Sequence, residues 1–141
     1  MEEAWKYIEM TDCRFDQSNI SLEFSVTFFK ANQDTKAWKH VKIALDNASY
    51  VGDRVQVARA LTYMGYGYLR KGDYQNAYGA YEAAAEKFVG TIYILCVKQC
   101  KENMARIEEK QRNPDKVVGF HRPPLDRDET LYLPPRSSNS K

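Results

Sequence analysis

The sequence predicts an all-α chain: a short array of antiparallel helix pairs, closed by a capping helix and followed by an extended tail. Three observations predict it. Residues 61–88 place apolar and small side chains at helical spacing on both sides of one tight turn. A shift of 40 residues, carrying Ala37 onto Ala77, lays the stretch 37–45 over 77–85. Residues 91–111 carry a further stripe of Tyr93, Val97, Cys100, Met104 and Ile107, with Cys96 beside it.

Each element has its own local reasons. Residues 2–10 are predicted to form a short helix, because Glu2 and Glu3 suit the positive end of a helix dipole and Trp5 and Ile8 can pack on the next part of the chain. Thr11 to Asn19 is rich in turn formers and is expected to end that element. Residues 20–31 carry two patterns. Leu22, Phe24, Val26 and Phe28 alternate as in a strand, while Ile20, Phe24 and Phe28 fall at helical spacing. The shift of 40 residues decides for helix, since it sets Phe24 on Met64, Ser25 on Gly65 and Phe28 on Tyr68, so that a small residue meets a small one. Residues 35–49 form the next helix, with Asp34 as its expected N-cap and Asn47-Ala48-Ser49 as its fraying end; Gly52-Asp53 then punctuates.

In the pair at 61–88 the first stripe is Leu61, Met64, Gly65, Tyr68 and Leu69, and the second is Ala77, Tyr81, Ala84 and Ala85. Gly72 can take the positive φ that ends a helix, and Asp73 can cap the next one. Gly65 and Ala77 are expected to let the two backbones approach, with Tyr68 and Tyr81 filling the space beside them. With Val89 next in the chain, the second helix is expected to run on or to end at Gly90. Thr91 is the expected cap of the helix at 91–111, whose later half is charged and suits a solvent-facing terminal helix. From Asn113 onward the chain holds all 5 prolines and no helical stripe, so 113–141 reads as an extended tail, part of which can lie back along the helices through Val117, Val118 and Phe120.

The bulk numbers narrow the function. The chain's 141 residues suffice for one domain with a core. A net charge of +2 gives no footprint for nucleic acid or an anionic membrane. No apolar run is long enough to cross a bilayer, and the acidic opening Met1-Glu2-Glu3 lacks the pattern of a signal peptide. The odd count of 3 cysteines argues against a disulfide framework and for a reducing cytosol or nucleus. Ten tyrosines are many for a helical chain and need a surface or groove to account for them.

Leu61-x2-Met64-Gly65-x2-Tyr68, followed by Ala77-x3-Tyr81 with Gly72-Asp73-Tyr74 between, resembles the tetratricopeptide repeat. Leu61 stands where that pattern has Trp, and Val89 where it has Pro. The resemblance implies a right-handed array within 1–112, with repeats at about 18–50 and 58–90, capped by 91–111. It also implies a concave groove lined by the first helix of each repeat. Carried over by position, the groove residues are Arg59, Thr62, Tyr63, Tyr66, Leu69 and Arg70, and in the weaker repeat Leu22, Val26 and Phe29. Tyr63, Tyr66 and Phe29 are expected to lie outside the core of each repeat and to anchor a partner, with Arg59 and Arg70 favouring acidic neighbours. The competing expectation is that these aromatics pack on the N-terminal helix or the returning tail. Tyr66 and Val26 stand where the family's clamps for chaperone C-termini place Asn, which argues against that ligand.

Other chemistry is thin. Cys96 and Cys100 lie one helical turn apart, but two thiols do not make a metal site, and His40 and His121 have no motif around them. There is no phosphate-cradling loop and no nucleophile elbow. In the tail, Tyr132 comes after acidic residues and Pro134-Pro135 precedes Arg136, two short patterns that suit phosphorylation or polyproline docking and equally suit a solvated tail. The expectation is a non-catalytic adaptor without a cofactor, holding a partner peptide or helix in its groove. The alternative is a structural subunit that self-associates or is built into a larger complex.

Overall fold

The computed structural model describes residues 14–123. They form five helices and no strand: α1 (Arg14–Lys30), α2 (Asp34–Val51), α3 (Arg54–Lys71), α4 (Tyr74–Phe88) and α5 (Ile94–Arg112). The predicted helix over 2–10, Cys13, and the tail motif at Tyr132, Pro134 and Pro135 lie outside the described residues. Packing is sequential: each helix lies against the next, and α1 also touches α3.

The turns obey local chemistry. Gly52 and Gly72 both take left-handed φ, 81° and 78°, which a residue without Cβ adopts at no steric cost. Asp53 and Asp73 then accept hydrogen bonds from the N–H groups of Gln56 and Asn76, capping α3 and α4; the Asp73 cap was expected, and Asp53 repeats it in the turn read as punctuation. The turn between α1 and α2 uses Asn32 instead, at φ 59°.

Four boundaries differ from expectation. The turn expected over Thr11–Asn19 is helical from Arg14 on, because its polar residues are bound across the fold: Ser18 Oγ donates to the Ala44 carbonyl at 2.9 Å. Asp34 is the first residue of α2 rather than its cap, and its carboxylate is committed to Arg70. Asn47-Ala48-Ser49 does not fray; Asn47 and Ala48 are buried, and α2 runs to Val51. Thr91 does not cap α5, which begins at Ile94; its hydroxyl donates to the Phe88 carbonyl and accepts from the Tyr93 N–H, bracing the turn after α4. α4 ends at Phe88, with Gly90 at φ 85° in the turn beyond it.

Two apolar clusters make the core. The first joins α1, α2 and α3 through Leu22, Phe29, Ala37, Val41, Ala44, Ala60 and Tyr63. The second joins α3, α4 and α5 through Ala58, Tyr81, Ala84, Phe88, Cys96, Cys100 and Ile107. Helix α3 serves both and is packed on two sides. It meets α4 closely: a Cβ on Gly65 would lie 2.9 Å from the Tyr81 ring, so only glycine fits there. Against α1 it carries polar groups. Ser18, Ser21 and Ser25 are fully buried on α1, and Gln56 Nε2 donates to Ser18 Oγ at 3.1 Å and to Asn19 Oδ1 at 2.8 Å. A buried face built partly of serines is why residues 20–31 gave no clear apolar helical stripe.

Candidate functional site

The residues expected to line one groove divide among three environments. Leu22, Phe29 and Tyr63 are 1%, 4% and 1% exposed and belong to the first core cluster. This corrects the expectation that Phe29 and Tyr63 stand free of the core to anchor a partner. Helix α3 is enclosed on both sides, so a second apolar stripe on it is covered by α1 and α2. Val26 and Tyr66 are partly buried against the same cluster, with Tyr66 edge-on to Phe29 at 5.4 Å between ring centroids. The Arg70 guanidinium covers both rings and meets Asp34 through two nitrogens, at 2.9 and 3.0 Å, and Asn32 at 3.0 Å. Arg70 is therefore paired within the chain and is not held in reserve for acidic residues of a partner. Leu69 packs on the second cluster.

Arg59 and Thr62 do meet at a cleft. It lies between α3, α4 and α5 and is shallow, with about 20 Å³ of internal space and an open mouth. Arg59 Nη1 donates to Asn19 Oδ1 and Gln56 Oε1 at 3.0 and 3.1 Å, which fixes the guanidinium along the wall. The Thr62 hydroxyl donates to the Arg59 carbonyl at 2.6 Å. Across the cleft, α4 supplies Tyr81 and Phe88, and α5 supplies Cys96, Gln99, Cys100 and Asn103. The returning chain closes one side with His121, Arg122 and Pro123.

The walls combine apolar surface and neutral polar groups with the guanidinium groups of Arg59 and Arg122. Burial, then the neighbouring Cys96, pushes the Cys100 thiol up to about 12, so it packs as a small apolar group at neutral pH. Burial likewise raises the Tyr81 hydroxyl above its usual range, and the nearby Asn103 side chain offsets part of the rise. That hydroxyl is buried and makes no hydrogen bond of ordinary geometry, a costly state for a polar group. Among the described residues no three His, Cys, Asp or Glu side chains are placed to hold a metal, and no described helix is long and apolar enough to cross a membrane.

Sequence reasoning named Arg59 and Thr62 but missed the opposite wall. Asn103 was legible in principle: it falls on the stripe of Cys96, Cys100 and Ile107, a polar residue at an apolar position, and it is 2% exposed. Nothing local could have placed His121 beside it. Comparison with protein-family models, curated proteins and solved structures returns no match.

Proposed function

We propose that this chain is a protein-interaction adaptor built as a tetratricopeptide-like array, and that the cleft between α3, α4 and α5 receives an extended segment or helix of a partner. The observation that carries the reading is the buried Tyr81 hydroxyl, which makes no hydrogen bond of ordinary geometry, in the wall of a cleft lined by apolar side chains, the amides of Gln99 and Asn103 and the guanidinium groups of Arg59 and Arg122. A peptide carbonyl entering the cleft would satisfy that hydroxyl. The array reading is supported by equivalent positions. Ser25 and Gly65, Ala37 and Ala77, Val41 and Tyr81, and Ala44 and Ala84 are buried as pairs in successive helix hairpins. The contact between α1 and α3, each the first helix of its hairpin, is what stacked repeats require.

Gln99 is half-buried on the wall of the cleft, so Gln99→Arg would obstruct it without disturbing the core. Capture from cytosol on wild type and on Gln99→Arg, both shown helical by circular dichroism, is expected to yield a partner lost only from the variant. Identical partners on both proteins would sink the cleft as the site.

A structural-subunit role has its own supporting observation. Tyr50 and Val51 at the end of α2 and Val89, Ile92 and Ile94 around the α4–α5 turn are exposed, Tyr50 at 72% and Ile94 at 74%. Arg54 links the two groups by donating to the Glu86 and Val89 carbonyls at 3.3 and 3.2 Å. If this patch is a subunit contact, sedimentation at rising concentration will show association that Ile92→Asp/Ile94→Asp abolishes. A monomer at all concentrations removes self-assembly.

A further inference from the structure

After α5 the chain turns back along it. The Asn113 N–H donates to the Glu109 carbonyl and the Lys116 N–H to the Asn113 carbonyl, both at 3.0 Å. The segment beyond runs antiparallel to α5. Asn103 grips it with both ends of its amide: Oδ1 accepts from the His121 N–H at 2.8 Å, and Nδ2 donates to the His121 carbonyl at 3.2 Å. Arg106 Nη1 donates to the Gly119 carbonyl at 3.2 Å, and Lys110 Nζ to the Lys116 carbonyl at 2.8 Å. Asn103, Arg106 and Lys110 are spaced by three and four, so they share one face of α5.

All three read main chain. Side chains are read by other groups. Glu102 holds His121 Nε2 at 2.5 Å, Glu109 holds the Lys116 ammonium, and Tyr74 of α4 stacks on Phe120 at 6.5 Å between ring centroids. Closing the C-terminal turn of α5 needs contacts only near Arg112. This series runs back to Asn103, whose buried amide grips the backbone of one passing residue through both its oxygen and its nitrogen. Main-chain reading tolerates many sequences, which is the logic by which sheet edges hold extended peptides.

Resting on the cleft reading, we propose that this face of α5 is an extended-peptide track whose resident ligand is the chain's own segment 116–121. In trans it takes an extended peptide of a partner, with a lysine four positions before an aromatic residue and a histidine directly after it. The lysine pairs with Glu109, the histidine ring bonds Glu102, the aromatic ring lies on Tyr74, and Asn103, Arg106 and Lys110 hold the backbone. The resident segment is tethered by a short turn, so its effective concentration is high and it competes with any peptide from outside. A partner then binds weakly until the resident segment is loosened.

The probe is a fluorescent synthetic peptide of residues 116–123, read by anisotropy against three full-length proteins: wild type, Phe120→Ala/His121→Ala, and that pair with Asn103→Ala added. The loosened variant is expected to bind on the order of tenfold tighter than wild type or better. Adding Asn103→Ala is expected to remove the gain, and a scrambled peptide, which keeps the main-chain contacts but misplaces the lysine, aromatic and histidine, is expected to bind more weakly. If Asn103→Ala loses helicity, Glu102→Lys/Glu109→Lys replaces it, since both carboxylates are at the surface. Equal affinity for wild type and the loosened variant overturns the proposal, as does binding that survives both the Asn103 and the glutamate changes. Concentration-dependent dimers that free peptide does not dissolve would assign the face to a second copy and also overturn it. If the peptide fails while Gln99→Arg still loses a captured partner, the track is wrong and the cleft reading stands. If the peptide binds while Gln99→Arg loses nothing, the reverse holds.

Discussion

Gly65 and Tyr81 set the distance between α3 and α4. The Tyr81 ring is 2% exposed and cannot swing aside, so the 2.9 Å approach of an added Cβ must be relieved by moving a helix. Gly65→Ala, although alanine is the better helix former, is expected to lower stability by about 1–3 kcal/mol in urea unfolding. No loss, or a gain, would show that the helices are not held at contact distance. Cys96 and Cys100 make a second residue-scale prediction. Both are buried, and the Cys100 thiol at about 12 is protonated at any working pH. Iodoacetamide at mildly alkaline pH is expected to leave both unlabelled in the native protein and to label both in urea, as read by peptide mass spectrometry. Fast native labelling of Cys100 would mean that the second cluster opens readily.

At the scale of elements, α1 and α2 are tied to α3 by polar contacts as well as apolar ones. The Arg70–Asp34 pair joins the end of α3 to the start of α2. Both side chains are partly exposed, so a double-mutant cycle on Arg70→Ala and Asp34→Ala is expected to give a coupling of only about 0.2–1 kcal/mol. Arg70→Ala alone should cost more than that coupling, because the guanidinium also covers the Phe29 and Tyr66 rings. A single-mutant loss no larger than the coupling would show that the stacking contributes nothing. The Ser18, Asn19, Gln56 and Arg59 seam is a different device. Each of its hydrogen bonds fixes the register of α1 on α3, and none could be read from apolar periodicity.

At the scale of the whole molecule, the five described helices pack in sequence, and on one face of α5 it is the returning segment that lies rather than another described helix. Its hold depends on pH. The hydrogen bond from His121 keeps the Glu102 carboxyl below the usual carboxylate range. A carboxyl depressed in the folded state contributes above its unfolded value, and the contribution is lost as pH falls through the folded one. Amide exchange protection at His121 is therefore expected to drop as pH is lowered below about 4. Glu102→Gln should flatten that dependence while leaving the Asn103 contacts. A wild-type profile without the drop would detach the side-chain pair from the hold on the segment.

What the sequence determined by itself was everything that rests on neighbours in the chain. Gly52-Asp53 punctuated the chain, Gly72 could end a helix and Asp73 cap the next, and the matching spacing of 37–45 and 77–85 made residues 20–31 helical against their own alternation. These outcomes depend on φ, on a side chain reaching an N–H three residues away, and on periodicity. Only the tertiary structure decided which stripes were inside. Tyr63 and Phe29 looked available because their own hairpins did not need them, yet α3 is clasped on both sides and the neighbouring hairpin covers them. Ser18, Ser21 and Ser25 make no apolar stripe and are nevertheless buried: serine is small enough for close approach, Ser18 donates across to the Ala44 carbonyl and Ser25 donates back to the Leu22 carbonyl. Asn103 went unnoticed in the sequence, and its place is explained only by a segment eighteen residues later that comes to lie on it. Burial belongs to pairs of elements, and no stretch of sequence carries its partner's face.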